Sequence, residues 1–328
     1  MRRFIPMPKL AWGLLAALTV AGVSAQTTNY PDKPIRLVVP YPPGGSTDVL
    51  ARMLGERMST RLGQPILVEN RAGASGNIGA SFVAKSPADG YTIFLGTSTA
   101  LAVNPGLFKT ALPYDPVKDF APILLATKLP SIVVVPENSR FKTIRELNDY
   151  LKANSDKLTY ASSGNGTPAH LGGELYKKMI GARSVHAPYK GGIPALTDLI
   201  GGQTDYMIAI LPESMPFVKS GKLRALAVTT AARLPSYPQL PTMSESGVPG
   251  YELVGWYAFR APAATPEPVI EKLNLAFNAA LKDRDIADKL VDMGFEIAGG
   301  PPSALRDLMQ SETVKWRKVI DDGNIKVD

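Results

Sequence analysis

The chain has 328 residues, no cysteine, two histidines and a formal net charge of +7. The absence of cysteine excludes disulfides, thiol chemistry and a lipidated N-terminal cysteine. Without any run of clustered Lys and Arg interleaved with aromatics, the charge does not make a nucleic-acid footprint, and nucleic acid is not an expected partner.

Taken in order, the chain opens on a targeting pattern. Arg2, Arg3 and Lys9 form a positive region, Leu10 to Val23 is apolar, and Val23-Ser24-Ala25 has the small-x-small form of a signal peptidase site. Residues 1–25 therefore read as a cleavable signal peptide; a retained anchor is the alternative, although about fourteen apolar residues are short for a membrane span. Arg2, Arg3 and Lys9 leave with it, so +7 becomes +4. The remaining chain of about 303 residues is long enough for two domains with proper cores. The expected destination is a bacterial periplasm.

Ile35 to Val39 reads as a buried parallel strand, and Val49, Leu50, Met53, Leu54, Met58 and Leu62 as the inner stripe of a helix ending at Gly63. Between them, Pro40-Tyr41-Pro42-Pro43-Gly44-Gly45-Ser46-Thr47-Asp48 forms a turn whose backbone N–H groups are left unpaired at a helix start. Glycines allow close approach and the helix dipole favours an anion there. Pro65 to Glu69 is a second strand, Asn70 to Asn77 a second glycine-containing turn into a helix, and Tyr91 to Leu95 a third strand ending in Gly96-Thr97-Ser98-Thr99. These alternating elements predict a right-handed parallel α/β unit.

Asn104 to Lys118 reads as irregular. Asp119 to Thr127 and Ser131 to Pro136 read as a crossing into a second lobe, where Thr143 to Glu146 has capping-box spacing. Leu158 to Ala161 is a strand, followed by Ser162-Ser163-Gly164-Asn165-Gly166-Thr167-Pro168-Ala169-His170, with Thr167 as the helix cap and Pro168 in the first turn. Val185 to Tyr189 is a strand leading through Lys190-Gly191-Gly192 to a helix over Ile193–Ile200; Tyr206 to Leu211 and Leu223 to Thr229 are further strands. After an extended stretch over Tyr251–Ala261, helices over Pro266–Lys282, Asp285–Met293 and Ser303–Asp321 are expected to pack back on the first lobe. The division is then 27–127 with 231–328 in one discontinuous lobe, and 128–230 in the other.

Two glycine turns at the carboxyl ends of strands, one in each lobe, form a pincer if the lobes face each other. The expected ligand-binding residues are Tyr41, Pro43, Gly44, Gly45, Ser46 and Asp48 from the first turn, and Ser162, Ser163, Gly164, Asn165, Thr167 and His170 from the second. Asn77, Thr97, Ser98, Tyr189 and Lys190 join them from neighbouring loops. Asp48 either caps its helix or meets the ligand, His170 either donates to the ligand or is structural, and Lys190 is either a contact or a solvated charge. His186 reads as packing. Chemistry has little to work with: there is no G-x-S-x-G elbow, no histidine pair at metal spacing and no G-x-G-x-x-G. No cofactor and no catalysis are expected; the competing reading is an exported hydrolase using Ser163 and His170, with nothing evident to orient the imidazole.

Beyond its individual signals, the chain resembles a known family. Tyr30-Pro31-Asp32-Lys33-Pro34-Ile35-Arg36, the Pro40–Asp48 turn, Val68-Glu69-Asn70-Arg71-Ala72-Gly73-Ala74, Asp89-Gly90-Tyr91-Thr92, Tyr160-Ala161-Ser162-Ser163-Gly164, Val185-His186-Ala187-Pro188-Tyr189-Lys190-Gly191 and Pro241-Thr242-Met243 are similar to the substrate-binding proteins of tripartite tricarboxylate transporters, the Bug family. The resemblance implies a type II periplasmic-binding-protein fold, two α/β lobes joined by crossing strands. It implies a small organic acid as ligand (dicarboxylate, tricarboxylate, acidic amino acid or aromatic acid), one carboxylate being held by the loops Tyr41–Asp48 and Ser162–His170; the protein is expected to be a monomer. It also implies a two-component membrane permease as partner; a sensor in place of the permease is a third possibility.

Overall fold

A computed structural model describes residues 30–323, together with residues 1 and 325. The expected signal peptide, Met1 apart, lies outside the described residues. The first strand, β1 (Ile35–Val39), is buried except at Arg36, as a central parallel strand requires. It feeds α1 (Ser46–Leu62), which buries Leu50, Ala51, Leu54 and Met58 and stops where Gly63 turns left-handed at φ 68°. β2 (Ile66–Asn70), α2 (Asn77–Ala84) and β3 (Thr92–Thr97) complete the first α/β unit, with β2 and β3 parallel to β1 on either side.

Two local readings change here. The segment expected to be irregular from Asn104 opens with a short helix, α3 (Asn104–Phe108); Pro105 sits in its first turn, where a missing N–H costs nothing. The two extended pieces expected around residue 130 are a single strand, β4 (Phe120–Pro136), of 17 residues. It runs straight through Pro130, which lies opposite Val254 in the ladder.

The second half continues through α4 (Ile144–Ala153), β5 (Thr159–Ser162), α5 (Pro168–Ile180), β6 (Val185–Pro188), α6 (Gly192–Ile200), β7 (Tyr206–Ile210), α7 (Leu211–Lys219) and β8 (Leu223–Val228). β9 (Val254–Pro262), α8 (Glu267–Lys282), α9 (Arg284–Asp292), β10 (Glu296–Ile297) and α10 (Pro302–Gly323) follow. Thr143 caps α4 as expected, accepting from the Glu146 N–H at 3.2 Å, while the Glu146 carboxylate reaches back one residue beyond the cap and accepts from the Lys142 N–H at 2.6 Å.

Strand order is β2-β1-β3-β9-β4-β7-β5-β6, with β8 and β10 also paired to β4. The amino-terminal half of β4 pairs with β9, and its carboxyl-terminal half with β7 and β8. One strand thus belongs to both halves, and the molecule is an α/β protein of two lobes joined by crossing strands. One core packs α1 and α8 on the first half, with Phe259 stacked on Phe277 at 3.8 Å. A second lies around Ala161, Leu196 and Met207. A third runs across both halves from Phe94 to Tyr160, Tyr206 and Trp316 of α10.

Thr229 ties the crossing together. Its hydroxyl donates to the Leu253 carbonyl at 2.7 Å and accepts from the Ser131 N–H at 3.1 Å, in a fully buried position. Thr229→Val keeps the shape and removes this hydroxyl, so unfolding free energy should fall by about 1–3 kcal/mol in urea titrations. An unchanged midpoint would show that the junction does not depend on the hydroxyl.

Candidate functional site

Strands β1, β5, β6 and β7 are each followed by a helix that begins at one shared cavity of about 320 Å³. Tyr41, Pro43, Gly45 and Thr47 line it from the start of α1. Ser163, Thr167 and Pro168 line it from the start of α5, Gly191 to Pro194 from the start of α6, and Ile210 and Glu213 from the start of α7. Thr97, Ser98 and Thr99 at the end of β3 form one wall, with Leu129 of β4 and Tyr257 of β9 at the lobe crossing. Each helix start carries backbone N–H groups without intrahelical partners and the positive end of a dipole. Four such ends on one small cavity can accommodate an anion.

Local sequence explains each turn. Gly44 has φ 88° and Gly191 φ 125°, conformations that glycine adopts without strain. Thr167 caps α5, accepting from the His170 N–H at 3.4 Å while its hydroxyl donates to the Gly164 carbonyl at 2.6 Å. Asp48 does not supply the cap of α1, since the cap residue is Gly45, which has no side chain. Instead its carboxylate accepts from the Gly44 N–H at 3.0 Å, from Arg52 at 2.9 Å and from Asn70 at 3.0 Å. Burial pushes the Asp48 carboxyl up, but the bonds from Arg52, Gly44 and Asn70 outweigh it and hold the group below its ordinary range. The first turn is therefore braced from behind by an ion pair, leaving its other face to the cavity.

Of the residues expected at the site, Tyr41, Pro43, Gly45, Thr97, Ser98, Ser163, Thr167 and Lys190 line the cavity. Gly44, Ser46, Asp48, Ser162, Gly164 and Asn165 lie in the same turns without lining it. Asn77 is buried apart, its amide oxygen accepting from Asn104 at 2.6 Å and Tyr114 at 2.9 Å. Tyr189 donates to Asp198 at 2.8 Å. His170 turns away: its Nδ1 accepts from the Gly166 N–H at 3.0 Å, and its ring stacks on His186 at 4.2 Å. His186 is in turn stacked on Tyr160 at 4.8 Å, with Nε2 2.6 Å from the Ser162 hydroxyl. Both histidines thus shape the second turn from behind, and no hydrogen bond joins Ser163 to His170 among the described residues.

Sequence reading missed the contributions of α6 and α7. A signal for the first was available: Pro188-Tyr189-Lys190-Gly191-Gly192 repeats the order of Pro40-Tyr41 and Gly44-Gly45 at the end of another parallel strand. Glu213 had none, because α7 begins in Leu211-Pro212 and carries a second proline, Pro216, which together read as chain breakers. Its carboxylate crosses to the other lobe and accepts from both the N–H and the hydroxyl of Ser46, at 3.1 and 2.8 Å. Burial pushes the Glu213 carboxyl up, against the two Ser46 bonds. Among the described residues, Glu213 and Lys190 are the charged ones lining the cavity, and no arginine does. Tyr41, its hydroxyl near Thr99 and Thr97, stays protonated, burial pushing it up to about 12.

A wider, more open groove of about 1080 Å³ crosses the outer face of the first lobe. Two of its cations are paired, Arg36 with Glu69 at 3.2 Å and Lys33 with Asp89 at 3.8 Å, while Lys85 makes no ion pair among the described residues; unlike the smaller cavity, this groove draws its lining from one lobe alone. Among the described residues there is no cluster of three or more metal-ligating side chains, and no helix is long and apolar enough to cross a membrane.

A two-lobed α/β molecule with helix starts gathered on an interlobe cavity has the architecture of a periplasmic solute-binding protein. More narrowly, residues 50–325 match the family model described as "Tripartite tricarboxylate transporter family receptor", and the chain belongs to that family. BugT of Bordetella pertussis is 36% identical over 313 residues, covering 94% of this chain and 96% of BugT. The solved structure of R. palustris Rpa4515 with adipate aligns at a TM-score of 0.87 with 39% identity, covering 90% of this chain and 99% of the other. MatC (Rpa3494) from Rhodopseudomonas palustris with bound malate aligns at 0.84 with 33% identity, covering 89% and 100%.

The stacked histidines generate a pH prediction. Burial pushes His170 down to about 4, and burial together with the neighbouring His170 pushes His186 down to about 3, from about 6.5 in an unfolded chain. Between those values the unfolded state binds more protons, so their contribution is fully present above about pH 6.5 and is lost as the pH falls toward 4 and 3. His186→Phe, which keeps the stack, should flatten the decline in unfolding free energy between pH 6.5 and 4 by about 2 kcal/mol relative to the parent. Parallel pH profiles for the two proteins would contradict this.

Proposed function

We propose that this chain is a periplasmic receptor that captures a small organic acid between its lobes and delivers it to a two-component membrane permease of the tripartite tricarboxylate type. The observation that carries the reading is the convergence of four helix starts, drawn from both lobes, on one cavity of about 320 Å³ that no arginine lines among the described residues. Such a site offers backbone dipoles to a carboxylate at fixed geometry, and it lies at the small end of ligand-pocket sizes. Binding of adipate and malate by the two structural relatives supports the same ligand class.

In this reading the lobes are 27–127 with 231–328, and 128–230, and the receptor works as a monomer. The acid's carboxylate meets the turn around Gly45 and Thr47, then the turn around Ser163 and Thr167 as the lobes close. Contacts made with both lobes only in the closed form shift the population toward it. Micromolar affinity needs about −8 kcal/mol, within reach of charge-assisted bonds to several N–H and hydroxyl donors. Catalysis has no support in the placement of His170, whose Nδ1 is engaged by the Gly166 N–H.

Isothermal titration of the mature protein with C4 to C6 diacids and aromatic acids should find at least one ligand of micromolar affinity. Gly45→Val places a branched side chain where an added Cβ already lies 3.4 Å from Glu213, and should weaken that ligand at least a hundredfold while the fold persists. Full affinity in the variant, or binding of no acid by the parent, would refute the reading.

A further inference from the structure

The proposed carboxylate site contains a carboxylate of its own. Glu213 enters from α7, and its Oε1 accepts from the Ser46 N–H and the Ser46 hydroxyl at the start of α1. Because the Ser46 hydroxyl gives its proton to Glu213, it must accept from Tyr257, whose hydroxyl lies 2.7 Å away. The donors run in series from Tyr257 through Ser46 to Oε1, an arrangement that favours the ionised carboxylate as the end acceptor. Burial opposes this by pushing the Glu213 carboxyl up.

The other oxygen is differently placed. Oε2 makes no hydrogen bond among the described residues and lies over Gly192, where an added Cβ would stand 1.6 Å from it. It occupies the space that a side chain at residue 192 would fill, at the wall of the cavity. A ligand that displaces water from the cavity strands this acceptor unless it brings a donor. A second ligand carboxylate placed there would add like-charge repulsion in a poorly solvated site.

We propose that Glu213 sets ligand class in this protein, selecting acids that carry a hydroxyl, amino or ammonium donor over the corresponding unsubstituted acids. This rests on the carboxylate reading above. The ligand's carboxylate lies toward Thr47, Ser163 and Thr167, and its donor group faces Oε2.

Matched series test it: succinate, malate and aspartate; glutarate, 2-hydroxyglutarate and glutamate; benzoate with its hydroxy and amino forms. Each is titrated calorimetrically into the mature protein, Glu213→Gln and Gly192→Ala, with melting temperatures to verify folding. In the parent, the hydroxy or amino member of the best series should bind at least tenfold more tightly than its plain counterpart. Glu213→Gln keeps an acceptor for Ser46 and turns the other end into a donor, so the preference should vanish or invert. Gly192→Ala pushes Oε2 out of place and should lose the preference as well. Plain acids bound as tightly as substituted ones, or a preference untouched by Glu213→Gln, would overturn the inference while leaving the receptor reading intact. Failure of every acid to bind the parent would defeat the receptor reading itself, and this inference with it.

Discussion

Unpaired N–H groups at helix starts are the constraint around which the molecule is arranged. A helix cannot satisfy its first N–H groups internally, and burying them without partners is costly. Here β1 runs toward the cavity from one half and β5, β6 and β7, which run the opposite way, reach it from the other, so the four helices that follow begin around one space. Open α/β sheets place ligands at the carboxyl ends of their strands for this reason. The crossing strand β4, shared by both halves, brings the two sets of ends to face each other.

What surrounds the cavity keeps those donors available. Asp48 and Arg52 secure the first turn through the Gly44 N–H, and His170 secures the second through the Gly166 N–H. Both braces act on N–H groups at the rear of their turns. The second is neutral: burial disfavours charge on the stacked His170 and His186 rings, and Lys177, 5.1 Å from the Tyr160 ring centroid, is paired with Glu174 at 2.7 Å. In the proposed reading, selection falls to side chains rather than to net charge, Lys190 at the exposed rim and Glu213 across the lobes.

Much of this was legible in the chain itself. The apolar run before Pro40, the Gly44-Gly45 pair and the stripe from Leu50 to Met58 define strand, turn and helix by local physics alone, and so do Thr167-Pro168 before α5. The unity of β4 was hidden by Pro130, which breaks strands in isolation but is accommodated opposite Val254 at the lobe crossing. Helix α7 was hidden by Pro212 and Pro216, although a proline in the first turn is tolerated. Glu213 was beyond local reasoning altogether, because its partner Ser46 lies 167 residues away. His186 reads as packing from its alternation, and in the structure it stacks between Tyr160 and His170; that its Nε2 meets Ser162 required the parallel register of β5 and β6.

The central claim is that peptide N–H groups from opposed helix starts, rather than cationic side chains, grip the acid. Amide ¹H–¹⁵N spectra recorded during titration with a bound acid test it directly. If those groups hold the acid, the N–H signals of Gly45, Thr47, Ser163 and Ile193 shift together and saturate at one stoichiometry. Shifts confined to the outer groove around Phe82, Lys85 and Tyr91, with the helix-start amides unmoved, would contradict it.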